Sequence, residues 1–241
     1  MTSLVYISKM KICLVVGHSL LKNGSTTSAD DIINEYDYNK ALAPYLSIEL
    51  QKVGHSVDVV ICPEKKFKTK EEESKYKLPL INSKNYDLVM ELHLNCYNKK
   101  AKGTSFLYVS KAGKQYAEKI QSTLSTAFNN RKTTRRQDLY MLTKTKAPSI
   151  IIETFFCDNK DDCEISRKLG FTGVAKLIAT ALKDNSLKAK SEIKSIVDYM
   201  KSVNMDSSFN NRRILASKFG IKDYKGTESQ NIQLLEKIRT L

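Results

Sequence analysis

The sequence predicts an α/β fold: a mostly parallel twisted sheet flanked by helices, followed by a small all-α C-terminal domain. Three observations predict it. Short apolar runs alternate with stretches of helical periodicity up to about residue 183, the pattern of strand–helix–strand units around a parallel sheet. The runs at 12–16 and 150–152 are apolar throughout, as strands covered on both faces are. Beyond residue 190 only helical periods remain. With 241 residues, 41% of them apolar, the chain is long enough to bury a sizeable core.

Residues 11–16 form the first strand, ending at Gly17. From Glu35 onward Tyr38, Leu42, Leu46, Leu50 and Val53 recur every three or four positions, so a helix runs to a cap at Gly54. Pro44, inside that stretch, is expected to kink the helix or delay its start. Residues 57–62 read as a second strand, and the Lys- and Glu-rich residues 63–77 as a solvated loop or exposed helix start. The third and fourth strands fall at 87–94 and 104–109. Residues 111–128 are helical, with Tyr116, Ile120 and Leu124 on one face. A basic, Thr-rich loop at 131–136 leads to strands at 139–142 and 149–155, and 160–183 holds one or two helices. The polar stretch 183–190 marks a boundary. It divides a main domain at 1–184 from a 185–190 linker and a helical domain at 191–241. Helical periods there cover 193–203, about 211–219 and 229–238, punctuated by Gly220 and Gly226.

Forty Lys and Arg against 26 Asp and Glu leave a formal charge of +14. That balance favours an anionic partner: nucleic acid, a membrane surface or a bacterial wall polymer. The excess is spread, with 11 basic and 6 acidic residues from 185 onward and 29 and 20 before it, so there is no polybasic tail. Nor is there an interleaved aromatic–basic signature for nucleic acid. No apolar run nears the roughly 18–20 residues of a membrane span. Five cysteines, an odd number with no CxxC spacing, read as reduced core residues rather than a disulfide framework or a zinc finger. The opening residues lack the order of a secretory signal, so cytoplasmic synthesis is expected, and Met10 offers an alternative start.

The chemistry sits at strand ends. Of three histidines, His18 follows the first strand directly and His93 lies near the end of the third. Open α/β sheets build their sites at the carboxyl ends of strands. A hydrolytic zinc site takes three N/O ligands and keeps a fourth position for water. Glu35, opening the first helix, can complete such a set; spacing does not separate it from Asp30, Asp31 or Asp37. Glu153 closes an otherwise apolar strand, where a carboxylate is costly unless it is paired or functional, and it is the candidate general base. Asn95 is expected near the groove. His55, in a Gly-His turn between helix and strand, is expected at the surface.

Gly17-His18, Glu35 at a helix start, Leu92-His93-Leu94-Asn95 and Ile152-Glu153-Thr154-Phe155-Phe156 with Asn159 stand in an order and spacing that resemble a known family. It is that of the zinc-dependent N-acetylmuramoyl-L-alanine amidases of the amidase-3 type. The resemblance covers about residues 10–183. The stretches Val16-Gly-His-Ser, Asn34-Glu-Tyr and Phe155-Phe-Cys-Asp-Asn-Lys are most similar to endolysins of phages infecting clostridia. The resemblance implies Zn2+ held by His18, Glu35 and His93, with Glu153 as catalytic acid/base. Two positions depart from the family pattern: Glu91, where Ser or Ala is common, and Leu94, where Ala is common. The segment from Asp206 to Leu235 resembles a short wall-binding module. In it Phe209, Tyr224, Arg212 and Arg213 are candidates to stack on sugars or pair with an anionic polymer.

The resemblance implies a peptidoglycan-cleaving endolysin, made in the host cytoplasm and acting on the wall after release. Its expected partners are peptidoglycan and anionic wall polymers, with no nucleic acid, and the expected state is a monomer. The rivals are a host autolysin or spore-lytic amidase, a zinc carboxypeptidase-like hydrolase, a nucleic-acid-binding protein and a wall-binding pseudoenzyme.

Overall fold

The computed structural model describes residues 9–183, 193–203 and 205–239. The expected linker at 185–190 and the segment upstream of Met10, apart from Lys9, lie outside the described residues. The chain divides into two compact units that separate after Lys183.

In the first unit, six strands form one sheet in the order β2-β1-β3-β6-β4-β5. They are β1 (Lys11–Val16), β2 (Ser56–Val60), β3 (Leu88–Asn95), β4 (Thr104–Tyr108), β5 (Asn130–Arg135) and β6 (Ser149–Phe156). β1, β2, β3 and β6 pair in parallel, and β4 runs antiparallel to β6 while pairing in parallel with β5. The inner strands β1, β3 and β6 are buried almost end to end; β1 and β6 accordingly read as near-continuous apolar runs, while β3 carries Glu91, His93 and Asn95 at alternate positions.

The helices of this unit are α1 (Glu35–Lys52), α2 (Glu71–Asn82), α3 (Lys111–Leu124), α4 (Tyr140–Thr143) and α5 (Lys160–Ala181). α1 and α5 pack on each other, as do α3 and α5. On the other face, Ile81 of α2 and Met141 of α4 join Cys13, Val15 and Val89 in one apolar cluster. Side chains alternate along a strand. Glu91 and His93 therefore follow Val89 onto the face that α2 and α4 cover.

Several expectations change. Residues 139–142 are not a strand: Tyr140–Thr143 form the helical turn α4, with Met141 and Leu142 buried. The expected loop at 131–136 is β5, an edge strand. Its exposed charges and β-branched threonines suit an edge but leave no apolar alternation to read. The charged run after residue 70 becomes α2, a helix of 12 residues. Pro44 lies inside α1, which starts at Glu35 as a single element. α5 bends at Gly170, where φ is 62°.

The second unit contains α6 (Ile196–Ser202), α7 (Phe209–Lys218) and α8 (Glu228–Ile238). Its core is Ile196, Met200, Ala216, Tyr224, Leu234, Leu235 and Ile238, with Leu215, Phe219 and Ile221 packed against it. α8 opens on a capping box between Thr227 and Gln230.

Candidate active site

The carboxyl ends of β1, β3 and β6 lie side by side, and the scarce titratable residues collect there. Gly17 N–H donates to Leu92 O at 3.0 Å, tying the end of β1 to β3. A Cβ at Gly17 would stand 2.4 Å from His93 Cε1 and 2.7 Å from Leu92 O, so only glycine lets the His93 ring lie against this turn. His18 follows with φ 65°, a left-handed conformation that a non-glycine residue adopts at a cost. That turn aims its ring back at His93: the ring centroids are 4.7 Å apart, edge to face.

Glu35 enters from the amino end of α1, where Asn34 caps the helix by accepting from Asp37 N–H. Its carboxylate is fixed by the backbone. Oε1 accepts from Leu94 N–H at 3.0 Å and Oε2 from Ala29 N–H at 3.1 Å. Glu35 Oε1 lies 3.1 Å from His18 Nε2 and 2.9 Å from His93 Nδ1, and the two nitrogens are 3.1 Å apart. Burial opposes ionisation of Glu35, but hydrogen bonds from His18 and His93 outweigh it and hold the carboxyl below its usual range. Asp30, Asp31 and Asp37 are exposed and outside this cluster, and Asp31 faces Lys99 at 3.2 Å.

Glu153 is the register partner of His93 on the neighbouring strand, so the two side chains share a face. Its Oε2 is buried with no hydrogen-bond partner. Burial raises the Glu153 carboxyl to about 7; His93 opposes the shift, and Glu35 and Glu91 reinforce it. A half-ionised carboxyl with one unpartnered oxygen is suited to taking and returning a proton near neutral pH. His18, Glu35, His93 and Glu153 all line one cleft of about 490 Å³, with Arg136, Leu139 and Tyr140 on its wall.

Glu91, the departure from the family pattern, is neither solvent-facing nor inert. It is buried, paired with Lys77 at 2.7 Å and with His93 Nε2 at 3.3 Å. Burial lowers the pKa of His93, but Glu91 and Glu35 outweigh that and raise it to about 10. Lys77 stays charged because Glu91 offsets its burial. Sequence reasoning missed both Lys77 and Glu73, since they stand in a run of alternating charges that reads as solvated.

Other expected residues fall elsewhere. Asn95 does not line the cleft; its amide donates to Ser105 Oγ at 3.3 Å and its carbonyl accepts from Cys157 N–H, so it ties strand ends together. His55 is buried rather than at the surface: Nδ1 accepts from Met10 N–H at 3.2 Å and Nε2 lies 2.8 Å from Leu182 O. Tyr224 is a core residue of the second unit, hydrogen-bonded to Asn231 and receiving a bond from Arg212 at 3.2 Å. Arg212 is tied inward through Ser207 O and Asn231 as well. Phe209 and Arg213 remain exposed, Phe209 stacked on Tyr224 with centroids 5.8 Å apart. Cys13, Cys62, Cys157 and Cys163 are buried free thiols, and Cys96 is an exposed one.

His18, Glu35 and His93 offer two imidazole nitrogens and one carboxylate oxygen, all within 4.8 Å of one another. Tetrahedral zinc with bonds of about 2.1 Å sets its donors roughly 3.4 Å apart, and the observed separations are close to that. The donor set and its spacing fit a zinc ion.

An α/β domain with such a cluster at its strand ends is a class of fold and site with known members. The N-acetylmuramoyl-L-alanine amidase family matches residues 12–184, and the chain belongs to it. A second family, a domain of unknown function, matches residues 162–240. Among solved structures, the catalytic domain of the CD27L endolysin targeting Clostridia difficile is 53% identical. It superposes with a TM-score of 0.71 over 72% of this chain and 96% of that one. An uncharacterised protein of Clostridium perfringens is 30% identical over 185 residues, 74% of this chain and 53% of that protein. The endolysin of Listeria phage A511 is 43% identical over 68 residues, 28% of this chain and 20% of that one. The chain thus spans about half the length of the longest-matching curated relatives. No described helix is long and apolar enough to cross a membrane.

Proposed function

We propose that the protein is an endolysin-type peptidoglycan hydrolase, a zinc-dependent N-acetylmuramoyl-L-alanine amidase. It cuts the amide between the lactyl group of N-acetylmuramic acid and L-alanine of the stem peptide. One observation carries the reading: His18 Nε2, Glu35 Oε1 and His93 Nδ1 converge beside the unpartnered Oε2 of Glu153. A zinc ion held by those three residues would supply Lewis acidity, polarising the amide carbonyl and lowering the pKa of a coordinated water toward ~7.

The chain's own groups do the rest. Glu153, raised to about 7, takes the proton from the attacking water and returns it to the L-alanine nitrogen as the amide breaks. Backbone bonds from Leu94 and Ala29 keep Glu35 in place through the cycle. The cleft beside them, walled by Arg136 and Tyr140, receives the glycan-linked peptide. On this reading the second unit binds an anionic wall polymer through exposed side chains such as Phe209 and Arg213. The enzyme is made in the host cytoplasm, acts as a monomer and reaches the wall on release.

Glu153→Gln tests the mechanism. The variant should bind zinc one to one and lose lysis of purified walls by at least 100-fold in a turbidity assay. Near wild-type lysis would contradict the role given to Glu153.

A further inference from the structure

α2 buries two charged side chains, Glu73 and Lys77, one helical turn apart on the same face. Burying charge is costly unless each group is paired. Their pairing runs outward to the two histidines of the candidate metal centre.

On the first branch, Glu73 Oε1 accepts from Ser19 Oγ at 2.9 Å and from Thr27 Oγ1. A carboxylate oxygen accepts, so the single hydroxyl proton of Thr27 is spent on Glu73 Oε1. Thr27 Oγ1 then acts only as acceptor, from Ser19 N–H at 3.2 Å and from His18 Nδ1 at 3.3 Å. His18 therefore carries a proton on Nδ1, so Nε2, the nitrogen facing Glu35 and His93, is the one available to a cation. On the second branch, Lys77 Nζ donates to Glu91 Oε1 at 2.7 Å, and Glu91 Oε2 lies 3.3 Å from His93 Nε2. Glu91 also only accepts, so His93 carries a proton on Nε2 and turns Nδ1 toward Glu35.

We propose that α2 is the positioning helix of the metal centre. Through Thr27 and Glu91, Glu73 and Lys77 hold the two histidines in opposite tautomers, so that a divalent cation of the zinc type is met by His18 Nε2 and His93 Nδ1. The inference rests on the metal-centre reading above and adds which nitrogens bind and what selects them. These four groups are not themselves ligands; they act on the ion through the histidines. Partners of this kind typically change metal affinity by about 10–100-fold when removed.

The test uses the full chain with 15N-labelled histidine, titrated with zinc and followed by NMR. With three histidines the spectrum is simple. His55, whose Nδ1 accepts from Met10 N–H, serves as an internal reference. The expected result is a zinc-shifted Nε2 on His18 and Nδ1 on His93, with protons retained on the opposite nitrogens. Competition with a chelator should show zinc affinity reduced about 10–100-fold in Thr27→Val and in Glu73→Gln, and restored to within a few-fold in Thr27→Ser. The matched Val and Ser variants separate loss of the hydroxyl from loss of the fold. Zinc on His18 Nδ1 or His93 Nε2, or unchanged affinity in both Thr27→Val and Glu73→Gln, overturns the positioning role and leaves the metal centre standing. A wild-type protein that takes up no zinc overturns the metal centre itself, and this inference with it.

Discussion

Replacing Glu153 by glutamine should stabilise the metal-free catalytic unit, and only above mildly acidic pH. The buried carboxyl has no partner for Oε2 and is raised from 4.5 to about 7. Between those values the folded protein holds the Glu153 proton more tightly than the unfolded chain does. Stability therefore falls as pH rises through this window, and the full cost is present above pH 7. A shift of that size corresponds to about 3 kcal/mol. Glutamine is neutral and carries no such slope. Urea unfolding of chelator-treated wild type and Glu153→Gln should be compared at pH 5, 6, 7 and 8. The stability difference should move by up to about 3 kcal/mol in favour of the variant across that range. Zinc should shrink the slope, because a nearby cation favours the carboxylate. A difference that stays flat from pH 5 to 8 would show that Glu153 is not a desolvated, raised carboxyl, and the proton-shuttle argument would fall with it.

Zinc uptake at pH 7 should release roughly one proton from His93, whose pKa is raised to about 10, with a further fraction from Glu153. Calorimetry in buffers of different ionisation heat measures this, and uptake without proton release would refute it. Gly17→Ala should push the His93 ring aside, weakening zinc binding at least 10-fold and costing about 1–3 kcal/mol of stability. Unchanged zinc affinity would mean that the ring does not rest on this turn. His55→Ala should cost about 1–3 kcal/mol by leaving Met10 N–H and Leu182 O without their partner. It should leave zinc affinity untouched, and a coupled loss of zinc would place His55 in the site after all.

The sheet was legible where burial on both faces removes polar alternation, as in β1 and β6. It was not legible in β5, whose edge position lets Asn-Arg-Lys-Thr-Thr-Arg form a strand with no apolar face. The cluster was half legible. His18 and His93 stand out because histidine is scarce and both fall at strand ends, and Glu153 because it interrupts an apolar run. Spacing alone left Glu35 level with three aspartates; the backbone donors Leu94 and Ala29 single it out, and only the fold brings them near. Glu73 and Lys77 were invisible because their burial depends on Ser19, Thr27 and Glu91, which lie far from them in sequence. For the same reason His55 looked like a surface residue: its partner Leu182 is supplied by tertiary contact.

The most direct test of the central claim is digestion of purified peptidoglycan by the zinc-loaded protein, with mass spectrometry of the products. The account predicts intact glycan strands and free stem peptides with a new L-alanine amino terminus, lost on chelation and regained with zinc. Cleavage within the peptide or between sugars, or no cleavage by protein that holds its zinc, would contradict it.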